Sequence, residues 1–186
     1  MATVFVVLTI TLVFVSSSIN LVTCHFCEIS VPQGMHNIKL TQMTIYRQDS
    51  RAGIIQVAGP PTPANDNLAF GTTLVGDFLM TVAPDPRSKE IGRLQGMAVG
   101  VSRSDPNNTS LSSSRTHISF THGKYRGSTL SILGISNLSE PVRESPVVGG
   151  TGELKLSSGY AELRDVSDYP DVEEYRICVL HYSPRA

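Results

Sequence analysis

Residues Ser145–Tyr160 read SPVVGGTGELKLSSGY. Four glycines and a proline in so short a run suit either a loop that cradles a phosphate or a tight connection into a β-strand. A phosphate cradle needs a helix behind the glycines, so that backbone N–H groups and the helix dipole converge on the anion. Behind Gly152 stands Glu153-Leu154-Lys155-Leu156, which alternates polar and apolar and therefore predicts a strand. The G-x-G-x-x-G spacing is not met either. The stretch is read as a glycine-rich entry into a late strand of an all-β protein.

Working outward, short strand-like runs recur, each bounded by Gly, Pro, Asn, Asp or Ser. They are Lys39–Arg47, Ile54–Val57, Leu68–Val75, Glu90–Val101, His117–Thr121, Ser128–Ile132, Gly152–Leu156, Ala161–Asp165 and Tyr175–Tyr182. No internal repeat and no helical stripe follows residue 25. Many short strands with turn signals between them predict a sandwich or a barrel. Gly59–Asn67, GPPTPANDN, reads as a mobile loop. Aromatic content is 6% and Trp is absent. Large rings are therefore scarce for filling a core, which favours a barrel with a cavity for a small ligand.

The chain has 186 residues. Residues 1–24 carry no Lys, Arg, Asp or Glu, and Val4–Val15 is an unbroken run of apolar residues and Thr. That run is short of the about 20 apolar residues a membrane span needs. It reads as a signal-peptide core, with cleavage after Ser18 or Cys24 and a membrane anchor as the competing reading. Residues 25–186 then form one domain. Cleavage after Cys24 leaves Cys27 and Cys178, which suits an oxidising compartment. A bridge between them closes a long loop, at about 4–5 kcal/mol on the chain-entropy model. The alternative is two unpaired cysteines, with Cys178 a small buried hydrophobe.

Sequons at Asn107, Asn108 and Asn137 agree with secretion, and the first two lie in a polar segment, Ser102–Ser114, that reads as an exposed loop tip. Net charge is −1 with no basic stripe, which argues against nucleic acid as a partner. Asp165, Asp168, Asp171, Glu173 and Glu174 do not match an EF-hand and read as a solvated turn. The five histidines (25, 36, 117, 122 and 181) show no metal-ligand spacing, there is no G-x-S-x-G elbow, and no cofactor fingerprint is found.

Four words together resemble the plant dirigent family. They are Ser88-Lys-Glu-Ile-Gly-Arg-Leu-Gln-Gly96, Phe120-Thr-His-Gly-Lys-Tyr-Arg-Gly-Ser-Thr-Leu-Ser-Ile-Leu-Gly134, Val142-Arg-Glu-Ser-Pro-Val-Val-Gly-Gly-Thr-Gly152 and Val179-Leu-His-Tyr182. They stand in the family's order, and the match runs from about residue 39 to 182. The resemblance implies an eight-stranded antiparallel β-barrel related to allene oxide cyclases, secreted to the apoplast and forming a homotrimer or homodimer. It implies a protein that directs the coupling of phenoxyl radicals from a monolignol, with a separate laccase or peroxidase making the radicals. No cofactor and, after signal cleavage, no membrane would be involved.

The family's pocket is altered here. Where it often shows Tyr-x-His-Asp, this chain has Tyr46-Arg47-Gln48-Asp49. After Gln95-Gly96, an aromatic and a tyrosine are replaced by Met97-Ala98. The acid of Phe-Thr-Asp-Gly is His122, and the arginine after Leu133-Gly134 is Ile135. The resemblance makes Asp49 the pocket acid, lets His122 take over proton transfer from the acid it replaces, and places Gln48, Ala98, Phe120 and Ile135 against the ligand. On the residues alone, Asp49 reads as a turn residue, and His122 is equally a hairpin residue or a proton-transfer group. Loss of so many polar groups leaves a second reading open: a phenolic-binding or defence module that keeps the barrel without coupling chemistry. A third is a cyclase acting on a non-radical phenolic.

Overall fold

The computed structural model of the chain describes residues 36–48, 53–60, 68–103 and 111–183. Nine strands lie in these segments: β1 (Ile38–Gln48), β2 (Ile54–Ala58), β3 (Thr73–Thr81), β4 (Glu90–Gly100), β5 (Leu111–Phe120), β6 (Thr129–Asn137), β7 (Val142–Thr151), β8 (Ser158–Val166) and β9 (Tyr169–Tyr182). They form one antiparallel sheet in the order β1-β9-β8-β7-β6-β5-β4-β3-β2, and β1 also pairs with β3. That last pairing, Tyr46↔Thr81 through Gln48↔Leu79, closes a ring of eight strands. The short β2 pairs with β3 from Thr73 to Gly76, where β1 no longer reaches it. Closure through these three residue pairs protects the ring strands against unwanted pairing.

Side chains alternate inward and outward along each strand. Towards one end of the ring the inward positions are large: Phe78, Met80, Leu94, Ile118, Phe120, Leu130, Ile132, Val147, Tyr175, Ile177 and Val179 form a continuous buried core. The β5–β6 hairpin adds Tyr125, whose ring lies 5.8 Å from that of Phe120. Thr41 Oγ1, within reach of both Tyr125 Oη (3.3 Å) and His181 Nε2 (2.9 Å), ties that hairpin to β1 and β9. Leu154, from the β7–β8 connection, completes the plug and is fully buried.

The opening stretch folds differently from its periodicity. Its first half is the end of β7, and Gly152–Leu154 is a single 3-10 turn rather than a strand. Gly152 adopts φ +62°, and a Cβ there would lie 2.7 Å from Ser128 Oγ. That same oxygen accepts the Glu153 N–H at 3.0 Å. Leu154 and Leu156, which the alternation puts on one face, separate completely: Leu154 plugs the barrel, while Leu156, at φ +59°, is 74% exposed. At Gly150 a Cβ would lie 2.3 Å from the Leu154 carbonyl, so the chain can fold back over β7 only across a glycine.

Other boundaries also move. β3 begins five residues after the expected Leu68 and runs on through Met80 to Thr81. β5 begins at Leu111, so Ser112–Ser114 belong to a strand and not to the loop tip. β9 begins at Tyr169 and takes Asp171, Glu173 and Glu174 into the sheet. Glu173 is only 6% exposed, so it departs from the solvated turn expected of this run, while Asp165, Asp168 and Asp171 are exposed around a turn at residues 167–168. Residues 1–35, Asn107, Asn108 and most of the Gly59–Asn67 loop lie outside the described residues, and so does Cys27. Cys178 is fully buried in β9.

The core plug sets a test of this packing. Leu130→Ala is expected to destabilise the barrel by about 2–5 kcal/mol, since Leu130 is fully buried and its removal leaves a cavity. Ile135→Ala, on the outer face of the same strand and 63% exposed, should cost no more than about 0.5 kcal/mol. Urea denaturation of the two variants beside the wild type measures both.

Candidate functional site

At the other end of the ring the inward residues become small. Gly76 on β3, Gly96 and Ala98 on β4, Ser114 and Thr116 on β5, Ser136 on β6 and Ser145 on β7 all line a cavity of about 430 Å³. Leu74, Phe78, Leu94, Ile132 and Leu163 supply apolar wall, with Met97 and Leu138 towards the rim. The floor is the plug just described. The size falls in the range of about 300–1,000 Å³ typical of small-molecule sites.

Polar groups gather at two opposite poles. In the ring order β1 and β9 stand across from β5 and β6. Arg47 from β1 and Glu173 from β9 face the hydroxyls of Ser114, Thr116 and Ser136, and all five residues line the cavity. Arg143 and Ser145, on β7, join the two poles along one wall, where Ser145 Oγ lies 3.4 Å from Ser136 Oγ.

The charged pole is a chain of ion pairs. Arg143 Nη2 donates to Glu173 Oε1 at 2.5 Å and to Asp165 Oδ1 at 2.8 Å. Arg47 Nη1 stands 3.1 Å from Glu173 Oε2, and its guanidinium carbon lies 4.7 Å from the centre of the Phe78 ring. The Arg143 and Glu173 side chains are each 7% exposed, whereas Asp165 is 74% exposed and largely screened by water. Burial works against the Arg143 cation, but the Asp165 hydrogen bond and the field of Glu173 together hold its pKa above the usual arginine value. Buried charges are costly unless paired, so each of these side chains fixes its neighbours in place. Beside them Tyr175 is fully enclosed. Burial, reinforced by the Glu173 carboxylate, drives its phenol pKa well above the ordinary value.

The sequence-derived candidates scatter. Ala98 lines the cavity as expected. Gln48 is buried but not among the lining residues: its Nε2 donates to Thr81 Oγ1 at 2.8 Å, securing the β1–β3 closure. Phe120 belongs to the plug, and Ile135 points out of the barrel. His122 follows β5 at the plugged end, exposed and 2.9 Å from Thr121 Oγ1, beyond the plug residues Ile118 and Phe120 that separate it from the cavity residue Thr116. Asp49 lies outside the described residues. Asn137 ends β6, and its Oδ1 accepts the Ser139 N–H. Arg47, Arg143, Glu173 and Tyr175 were not picked out from the sequence. The signal was there in one form: in a β9 read two-sided from Tyr175, extending the alternation back two residues puts Glu173 on the same inward face.

The Tyr175 environment predicts a pH response. Its folded pKa is raised, so the stability tied to the neutral phenol is complete below the unfolded value of about 10 and is lost as pH climbs beyond it. The urea midpoint of the wild type should therefore fall more steeply above about pH 10 than that of Tyr175→Phe. Parallel alkaline slopes for the two proteins would contradict the buried-phenol geometry.

Comparison with known proteins agrees with this architecture. A family model described as "Dirigent-like protein" matches residues 36–180. Pterocarpan synthase 1 of Glycine max is 32% identical over 192 residues, covering 97% of this chain and 98% of that protein. Dirigent protein 1 of Arabidopsis thaliana is 32% identical over 155 residues, covering 80% of this chain and 83% of its own. Among solved structures, the pterocarpan synthase dirigent protein GePTS1 superposes with a TM-score of 0.68 at 31% identity, covering 81% of this chain and 89% of that one. With its closed eight-stranded barrel and a family match over most of its length, the chain belongs to the dirigent family.

Proposed function

We propose that this protein imposes stereochemistry on the coupling of phenoxyl radicals from monolignol-type phenolics held in the barrel cavity. The radicals would come from a separate laccase or peroxidase in the apoplast, to which the protein is secreted, and the protein itself would oxidise nothing. The observation that carries the reading is the lining of the cavity: apolar side chains, with hydrogen-bonding groups at two opposite poles. A phenylpropanoid has the matching pattern, an apolar ring and side chain with oxygens at either end.

The chemistry asks little of such a site. Radical recombination has almost no barrier, so selectivity is a matter of which faces meet, and that follows from orientation and exclusion. Closure of the resulting quinone methide benefits from a fixed acid or base. The ion-paired wall on β1, β7 and β9 offers rigid polar groups for that step. A second reading, supported by the relatives named pterocarpan synthase, is ring closure of a phenolic without any radical. A third keeps the barrel as a phenolic-binding or defence module without coupling activity.

Chiral chromatography of the products of coniferyl alcohol and a laccase, with and without the purified protein, separates these readings. Enantiomeric excess that appears only with the protein is the expected result. Turnover of a phenolic with no oxidase present would transfer the assignment to cyclisation. Racemic products from folded protein, with no such turnover, would leave the binding module.

A further inference from the structure

Glu173 is an uncommon residue to find on the inner wall of a small barrel. Its Oε1 takes a hydrogen bond from Arg143, but Oε2 is buried and accepts none among the described residues. Arg47 Nη1 is 3.1 Å from Oε2, close enough for charge attraction yet off the line of a hydrogen bond. A carboxylate oxygen has room for about two donors, and leaving a buried acceptor unmet costs about 1–3 kcal/mol. Such a deficit is tolerated where a ligand supplies the missing donor. Arg47 is the more exposed of the two arginines, at 21% against 7%, so it is the partner able to shift and admit one.

We propose that Glu173 Oε2 is the anchor for the phenolic hydroxyl of the bound molecule, and that the cavity therefore selects phenolics with that hydroxyl free over their O-alkylated counterparts. This rests on the phenolic-cavity reading above and adds to it the residue that sets the ligand's direction. Arg143 acts as a positioning residue: it grips Oε1 at 2.5 Å, and the ligand hydroxyl reaches the second oxygen once Arg47 shifts aside. The hydroxyl pole on β5 and β6 then receives the opposite end of the ligand. With one end held by a charge-assisted bond and the other by neutral hydroxyls, the molecule can lie in only one of its two directions. A fixed direction is a prerequisite for presenting one face.

The test is a binding titration of the wild-type protein with coniferyl alcohol and with its phenol methyl ether, followed by titration of Glu173→Gln, which preserves size and removes the charge. A charge-assisted hydrogen bond is worth roughly tenfold to a hundredfold in affinity. The wild type should prefer the free phenol by at least about tenfold, and Glu173→Gln should reduce that preference to a few-fold while still binding the ether as the wild type does. Equal affinity of the wild type for phenol and ether would overturn the anchor, whether or not the variant folds. An unreduced preference in a variant shown by its melting curve to be folded would overturn it as well. If the wild type binds neither compound, the phenolic-cavity reading itself fails and the anchor falls with it.

Discussion

The width of a closed barrel is set by its strands, so the size of each inward side chain decides whether a layer is solid or empty. In this protein that one constraint divides the interior. Phe, Leu, Ile, Met and Val fill the layers at one end, and Gly, Ala, Ser and Thr leave about 430 Å³ open at the other. The boundary runs through single strands. On β5, Ser114 and Thr116 line the cavity while Ile118 and Phe120 fill the plug; on β4, Ala98 and Gly96 give way to Leu94. The plug makes the ring stable and the small residues make it useful, and neither could be achieved with uniform side chains.

Charge placement follows from the same geometry. An arginine or glutamate facing inward in the plug would have no partner and no water. At the open end three charged side chains from β1, β7 and β9 pair with one another, with Glu173 Oε2 still lacking a hydrogen-bond donor among the described residues, and Asp165 ties the group to solvent. Such an arrangement contributes little net stability compared with apolar packing. Its value lies in fixed direction: Arg143 and Glu173 hold their positions before a ligand arrives, so the movement needed to orient one is confined to Arg47.

The fold class was legible from spaced strand-like runs and from the family words, because both depend on local pattern. The site was less so. The β5 segment Ser112-Ser113-Ser114 resembles loop sequence, and Ser114, which lines the cavity, need not be apolar. Gly152–Leu156 resembles a strand because Leu154 and Leu156 alternate, but a positive-φ glycine and a backbone contact turn the chain instead. The acidic run before Tyr175 looks solvated until Arg47 and Arg143, distant in sequence, are brought against Glu173. His122 and Ile135 were chosen by matching family positions, and Phe120 with them. In each case the depth of a residue along its strand decided its surroundings, and depth depends on where the strand begins.

The central proposal is that the open end of the barrel holds the phenolic between Glu173 and the β5–β6 hydroxyls. A crystal structure of the protein soaked with coniferyl alcohol tests this most directly. Density for the ring between Leu94, Ala98 and Thr116, with one oxygen within hydrogen-bond distance of Glu173, is the predicted result. An empty cavity, with the phenolic bound instead on the outer face around Ile135 or beside His122, would contradict it.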